Sequence, residues 1–446
     1  MREMNDSGIE WIGQIPKEWD ILRLKYCFSG FTNGTSDTQL SSGESLYPVT
    51  RIETISSGEI NLDKIGYVAF SKKQYLLKTG DILVSNINSI KYLGNCAVVR
   101  DGYRLYHGMN LLRVVPGDYI DNGYAYYLFK SNVFKFPMEK YCKPAINQAS
   151  VSATTMKNFF IPFPDLVVQQ QIANFLDTKC SEIDATAEDI QKEISLLEDY
   201  KKSVITEAVT KGLNPDAEMK DSGIEWIGQI PKHWEIPKIT HILDYTHPYP
   251  IGDGDHGTIK AENYSEEGIP FIRVQNLGFA TELIMNNVVY ITEKQNNGII
   301  NSTLYPNDIL FAKTGATIGK VGIMPENIKK ANTTSHVGKI TVSEEVVPKF
   351  IFYVLSSFIG YKQFWDIALM KSTRPELSID EIKTLHVLLP KTIVEQQQIA
   401  DYLDSKCSEI DSLIADKKRQ FDILADYRKT LIYEYVTGKK EVPVNE

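Results

Sequence analysis

The sequence predicts an α+β chain: two similar mixed α/β domains separated by two long antiparallel coiled-coil helices, the whole forming a pseudo-two-fold internal repeat. Three observations predict it. An opening motif recurs in mid-chain, a helical segment recurs after each variable stretch, and the variable stretches share a skeleton of short strands. With 446 residues the chain has room for more than one domain. Its 43% hydrophobic and 24% charged content lets each half bury its own core.

The opening, Asp6 to Trp19, returns as Asp221 to Trp234, and the two copies differ only at Glu18 against His233. Chance does not produce such a match, and internal repeats organise a fold before any other signal. The second repeated element is Gln169-Gln170-Gln171-Ile172-Ala173, followed by Leu176-Asp177 and by Lys179 to Asp184. It returns as Gln396-Gln397-Gln398-Ile399-Ala400, Leu403-Asp404 and Lys406 to Asp411. The layout is therefore opening motif, variable stretch, helical element, written twice.

Each variable stretch reads as short strands bounded by turn residues. Tyr67–Phe70, Asp81–Ser85, Ala97–Val99 and Leu111–Val115 carry this pattern in the first half. Val288–Ile291, Ile309–Ala312 and Val337–Val342 carry it in the second. Gly80-Asp81-Ile82-Leu83-Val84 answers Asn307-Asp308-Ile309-Leu310-Phe311, and Ile161-Pro162-Phe163-Pro164 answers Val387-Leu388-Leu389-Pro390. Tyr124–Phe134 and Lys349–Phe358 read as short aromatic helices. Similar skeletons with diverged surfaces imply two related tasks on different targets.

The repeated segments downstream read as long helices. Ala187, Ile190, Ile194, Leu197, Lys201, Val204 and Ala208 alternate at spacings of three and four, and Ile414, Lys417, Phe421, Leu424, Arg428, Leu431 and Tyr435 do the same. This is a coiled-coil seam interrupted by Lys201, Lys417 and Arg428. An amphipathic helix lying on a domain would show the same stripe. Two near-copies of this length are better explained by packing against each other, as a rod of roughly 50 Å from Cys180 to Gly212. Gly212-Leu213-Asn214-Pro215-Asp216 then breaks the helix and links the halves. The expected boundaries are 1–165 for the first domain, 166–212 for the central helix, 213–220 for a linker, 221–391 for the second domain and 392–446 for the C-terminal helix.

The net charge of −9 hides a local bias. Residues 66–165 hold twelve Lys and Arg against six Asp and Glu, whereas 166–212 hold five against nine. A basic block inside an acidic chain suits an anionic partner such as nucleic acid. Five cysteines without CxxC spacing argue against a disulfide framework and against zinc, and for a reducing cytoplasm. The polar start is no signal peptide, and no apolar run approaches a membrane span.

Enzymatic motifs fail on inspection. Gly315-Ala316-Thr317-Ile318-Gly319-Lys320 is a residue short of a phosphate loop, and Val321 stands where Ser or Thr would hold magnesium. Pro215-Asp216-Ala217-Glu218-Met219-Lys220 offers nuclease-like groups, but on a linker where carboxylates cannot be held convergent. The chain lacks the Asn-Pro-Pro-aromatic sequence of a DNA amino-methyltransferase. No catalytic and no metal-binding residues are assigned.

Polar side chains able to pair with base edges or phosphates cluster in each variable stretch. In the first half they are Asn86, Asn88, Lys91, Arg104, His107, Lys143, Asn147 and Gln148. In the second they are Lys313, Thr314, Lys320, Thr333, Ser335, Lys371, Thr373 and Arg374. Any one of them alone reads as an exposed loop residue; the duplicated cluster carries the DNA reading. The helix positions expected to face a partner helix are Ile190, Ile194, Leu197, Val204, Ile414, Phe421, Leu424 and Leu431.

On these residues the chain resembles the specificity subunits of type I restriction-modification systems. The resemblance rests on the repeated Asp-Ser-Gly-Ile-Glu-Trp-Ile-Gly-Gln-Ile-Pro openings, the Asp-Ile-Leu strands at 81 and 308, Lys313 to Lys320, Ser372-Thr373-Arg374-Pro375-Glu376-Leu377-Ser378, and the Gln-Gln-Gln-Ile-Ala helix starts. In the first half the corresponding loop departs, reading Lys143-Pro144-Ala145-Ile146-Asn147-Gln148. The resemblance implies a non-catalytic subunit whose two target-recognition domains each read half of a split double-stranded DNA sequence. It implies that the helices set the gap and dock two methyltransferase (modification) subunits, with restriction subunits joining them. S-adenosylmethionine, ATP and magnesium would then sit on those partners and none on this chain. Two other readings stand beside it: a single-chain modification or restriction enzyme, and a DNA-binding scaffold or regulator without methyltransferase partners.

Overall fold

The repeated opening folds the same way both times. Met4–Asp6 pairs antiparallel with Gln14–Pro16, and Met219–Asp221 pairs with Gln229–Pro231. Gly8 and Gly13, like Gly223 and Gly228, turn the chain at positive φ, where a Cβ would be strained. The computed structural model describes residues 2–38, 40, 46–100, 102, 104–145, 148–279, 283–370 and 375–443. They form two compact units, Met1–Gln191 with Arg419–Glu446, and Lys192–Lys418.

Each unit is built around a four-stranded antiparallel sheet. In the first the order is Phe28–Asn33, Leu112–Pro116, Ile82–Val84, Cys96–Val98; in the second it is Ile251–Asp253, Val337–Ile340, Ile309–Ala312, Val321–Ile323. The middle strands are buried on both faces, which is why Ile82-Leu83-Val84 and Ile309-Leu310-Phe311-Ala312 read as unbroken apolar runs. Both of these strands begin from a left-handed residue, Gly80 at φ 87° and Asn307 at φ 68°. Glycine and asparagine are the residues that tolerate that conformation.

Behind Gly80 and Asn307, each sheet buries an ion pair. Arg113 Nη2 lies 2.7 Å from Asp81, and Lys339 Nζ lies 3.6 Å from Asp308. Each aspartate also accepts a backbone N–H, from Lys78 at 2.7 Å and from Tyr305 at 2.9 Å. Each cation donates to a carbonyl, Arg113 to Gln74 and Lys339 to Thr303. Such compensation is what allows charge inside a core.

The aromatic stretches each form two helices, Asn122–Lys130 with Asn132–Lys140 and Pro348–Ser356 with Phe358–Leu369. The sequence reading had continuous helices there. The breaks fall at Ser131 and Ser357, whose hydroxyls accept the N–H of Val133 and of Ile359 and so start a new helix.

The long helices are Leu166–Lys211 and Ile393–Val436. At 46 residues the central one is about 69 Å long, because it starts well ahead of the seam. It stops at Gly212, which takes φ 71°. Neither helix forms a compact unit of its own: each unit takes the start of one and the end of the other. Within the first unit they run antiparallel, with the Phe175 ring tilted against that of Tyr435 at 4.5 Å and Arg428 Nε 3.1 Å from Asp184. Within the second, Lys417 meets Glu193, and Lys201 meets Asp411 at 2.7 Å. The three cations that interrupt the apolar seam are thus each answered by a carboxylate on the opposite helix.

Ile190, Ile194, Ile414 and Leu431 are buried, and Leu197, Val204 and Leu424 are half-buried. Next to Val204, Ile205 is the more deeply buried, since a 3.6-residue helix drifts past a strict seven-residue repeat. Phe421 is 37% exposed and does not sit in the seam as expected; its ring is bulkier than Ile194, its counterpart in the other copy. Among the described residues no helix is long and apolar enough to cross a membrane.

The first glutamine of each Gln-Gln-Gln run ties helix to domain. Gln169 is buried; its Oε1 accepts the N–H of Asp121 at 2.8 Å and its Nε2 donates to the carbonyl of Pro164. Gln396 repeats this with Val347 at 2.8 Å and Pro390. Nearby, the Tyr127 hydroxyl donates to Asp177, and that of Tyr353 to Asp404.

Candidate nucleic-acid interface

The central strands Ile82–Val84 and Ile309–Ala312 lead directly into the predicted polar clusters. In the first half Ile87–Asn88 forms the edge of a small sheet with Gln148–Ser150 and Lys143–Ala145. In the second, the backbone N–H of Gly315 donates to Pro375 and that of Leu377 to Lys313. The matching bond in the first half runs from Val151 to Asn86. The architecture therefore brings together, in each half, the end of a central strand and the loop that sequence analysis singled out. Asn147, Lys371, Thr373 and Arg374 lie outside the described residues.

The remaining candidates divide by exposure. Lys91, Arg104, Lys143 and Gln148 are exposed, and Asn88, Lys320 and Ser335 are half-buried. Lys72, Lys73, Lys78, Arg104 and Lys143 are exposed and hold no ion pair among the described residues. They leave the first half a set of cations free to meet phosphate. Lys320 lies over the ring of Phe279 at 5.9 Å.

Five candidates are inside the protein, which corrects the reading of them as direct contacts. Asn86 donates to the carbonyl of Val151 at 3.1 Å. His107, 1% exposed, contacts the carbonyl of Leu111 through Nε2 at 3.1 Å, and burial pushes its pKa down to about 4. Thr333 donates to Ile272 at 2.8 Å. Thr314 meets His336 Nδ1 at 3.1 Å. Lys313 is buried against Asp253, with Glu376 at 3.7 Å. A polar residue in a strand-rich stretch reads the same in sequence whether it faces solvent or straps two segments together.

Asp253 and His256 escaped the sequence reading. They lie in Gly252-Asp253-Gly254-Asp255-His256-Gly257, which looks like a solvated turn. Asp253 ends the outer strand opposite Gly338, pairs with Lys313, and meets His256 Nε2 at 3.2 Å. Asp255 caps the next turn by accepting the N–H groups of Gly257, Thr258 and Ile259. The recurrence of the strand skeleton was the signal that could have located them, because it sets Asp253 at the position of Asn33.

Residues 16–196 and 231–420 each match the family described as type I restriction modification DNA specificity domain. The chain belongs to that family. The MjaX type I restriction enzyme specificity subunit of Methanocaldococcus jannaschii is 31% identical over 441 residues, spanning 97% of this chain and 96% of the relative. The MjaVIII specificity subunit of the same organism is 25% identical, spanning 96% and 94%. A solved chain from work on complex assembly and conformational transition of the type I R-M system has a TM-score of 0.64 at 15% identity. It covers 96% of this chain and 99% of its own, and so shares the fold. As a type I specificity subunit, the chain has DNA sequence recognition as its role. The duplicated family domain coincides with the duplicated sheets.

Proposed function

We propose that this specificity subunit is the non-catalytic reader of its complex, with each sheet-based domain reading one half of a split double-stranded DNA target. The helices set the gap between the half-sites and dock two methyltransferase subunits, and restriction subunits join that assembly. S-adenosylmethionine, ATP and magnesium are bound by those partners, in the cytoplasm. The observation that carries this reading is that one frame is built twice while the residues at the ends of its central strands differ: Asn86 and Asn88 in one half, Lys313 and Gly315 in the other. Two readers on a duplicated protein mirror two half-sites at fixed spacing.

Sequencing the methylated sites in cells that express the chain with its modification partner tests this. The expected result is two short, unlike half-sites separated by unspecified bases. A single contiguous motif would overturn it, and methyl transfer by the purified chain alone would overturn its non-catalytic part. Matched four-residue insertions at Leu197 and Ile414, between the Glu193–Lys417 and Lys201–Asp411 bridges, lengthen both helices by about 6 Å each. They should widen the gap by one to two base pairs, at ~3.4 Å each, and leave the half-sites unchanged.

A further inference from the structure

Strand register makes Asn33 and Asp253 structural counterparts. Thr32 stands opposite Arg113 and Gly252 opposite Lys339, the buried cations of the two sheets. Asn33 and Asp253 come next. The residues that follow are built alike. A Cβ on Gly34 would fall 2.0 Å from the carbonyl oxygen of Gly108, and one on Gly254 would fall 1.9 Å from that of Thr333. Thr35 then donates its N–H to His107, and Asp255 donates to Thr333. The frame around this slot is kept in both halves, and the slot residue is not.

The residue after the central strand changes as well. Asn86 and Lys313 occupy equivalent places after the central strand, each accepting the N–H of the residue that follows the loop. The first half therefore has an amide at 33 and, separately, an amide at 86 that is bonded to Val151, whereas the second has a carboxylate at 253 ion-paired with an ammonium at 313. In a frame built twice for two targets, a paired change of this kind belongs where the targets differ.

The chemistry of the second pair suits a base edge. A bare carboxylate next to a duplex is repelled by phosphate, but Lys313 compensates this one from inside the protein, with a side chain only 7% exposed. Lys313 engages Oδ2, whereas Oδ1, on a side chain 17% exposed, is met by His256, whose own side chain is 72% exposed. A carboxylate oxygen accepts and cannot donate, so it selects an exocyclic amino group in the major groove, on cytosine N4 or adenine N6. An asparagine in the same slot both donates and accepts.

Resting on the reading that each half contacts half of a split target, we infer that the slot at Asn33 and Asp253 is a specificity-determining position. Asp253, charge-compensated by Lys313, accepts from the amino group of one base in the second half's site.

The test compares methylated motifs from the complex carrying wild-type, Asp253→Asn or Asn33→Asp chains. Asp253→Asn should relax or change the preferred base at one position of one half-site, by about ten-fold in preference. The other half-site and the gap should stay as they were, and the base lost shows whether cytosine or adenine was read. An unchanged motif with methylation intact would overturn the inference. Should methylation fail, the folded variant complex, checked by its melting profile, is competed against duplexes substituted at each base pair. Selective loss of discrimination at one position supports the inference, and uniform weakening on cognate and random DNA overturns it. Absence of a bipartite motif in the wild-type complex would instead defeat the parent reading, which the wild-type arm alone decides.

Discussion

The two sheets match strand for strand, yet their paired positions fall into two kinds. Gly80 and Asn307 share the left-handed turn, Asp81 and Asp308 the buried carboxylate, and Arg113 and Lys339 the buried cation. Residue identity varies there, but the physical task does not. At His107 and Thr333 only the backbone task is common, a carbonyl that accepts the N–H of Thr35 or of Asp255, and the side chains solve unrelated packing problems. At Asn33 and Asp253, and at Asn86 and Lys313, charge itself changes. Comparing the halves thus separates what holds the frame from what adapts it to a target, a distinction that a single copy could not give.

The buried ion pairs offer the hardest way to break this comparison. Asp308→Ala leaves the Lys339 ammonium buried and uncompensated, and Asp81→Ala does the same to Arg113. Each should destabilise its own half by about 3–5 kcal/mol, measured by denaturant unfolding with hydrogen exchange resolved along the chain. A small loss in one half and a large one in the other would mean that the pairs are not equivalent supports.

His107 sharpens the difference between the halves. Burial lowers its folded pKa to about 4, below the ~6.5 of an unfolded histidine. The stability tied to its neutral form is therefore complete above pH ~6.5 and is lost as pH falls towards 4, by up to about 3 kcal/mol. Melting profiles at pH 7 and pH 4.5 should show less acid destabilisation of the first half in His107→Gln than in wild type. An equal acid response in both proteins would place the sensitivity elsewhere.

Gln169→Ala and Gln396→Ala probe a feature that the halves share. Each strands a backbone N–H, half-buried at Asp121 and buried at Val347, at about 1–3 kcal/mol. Faster amide exchange at those two residues is the readout, and it should be alike in both.

The smallest effect concerns the turn. Asn307→Ala should destabilise by about 1–2 kcal/mol, because an alanine resists positive φ. Gly80→Ala should be worse, since its Cβ would also lie 2.5 Å from the Asn122 side chain. Asn307→Gly should be near neutral in the same unfolding measurement.

Most of the fold was legible because periodicity and repetition report burial directly. The apolar runs at 82–84 and 309–312, the alternating spacing from Ala187 to Ala208, and Gly212 as a stop all carry their cause in the letters. The candidate interface was legible only as a neighbourhood. Sequence places Asn86, His107, Lys313 and Thr333 near the strand ends but cannot say which way each side chain turns, because orientation depends on partners distant in the chain. Lys313 finds Asp253, sixty positions away, and no local pattern announces that meeting. Phe421 failed for a related reason: a heptad position names a direction, and the space available there depends on the opposing helix.

The amide locks at Gln169 and Gln396 convert helix length into angle. A sheet fixed to the first turn of its helix rotates whenever that helix is lengthened, by about 100° and ~1.5 Å for each added residue. Four residues return nearly to phase, some 40° past a full turn, while a duplex turns about 60° over the same ~6 Å. Seven residues fall about 20° short of two turns over ~10.5 Å, where the duplex has wound through roughly 110°. On the proposed ruler role, helices joined to their domains in this way would behave as gears, and the gap lengths open to such a protein would form a sparse series of allowed phases.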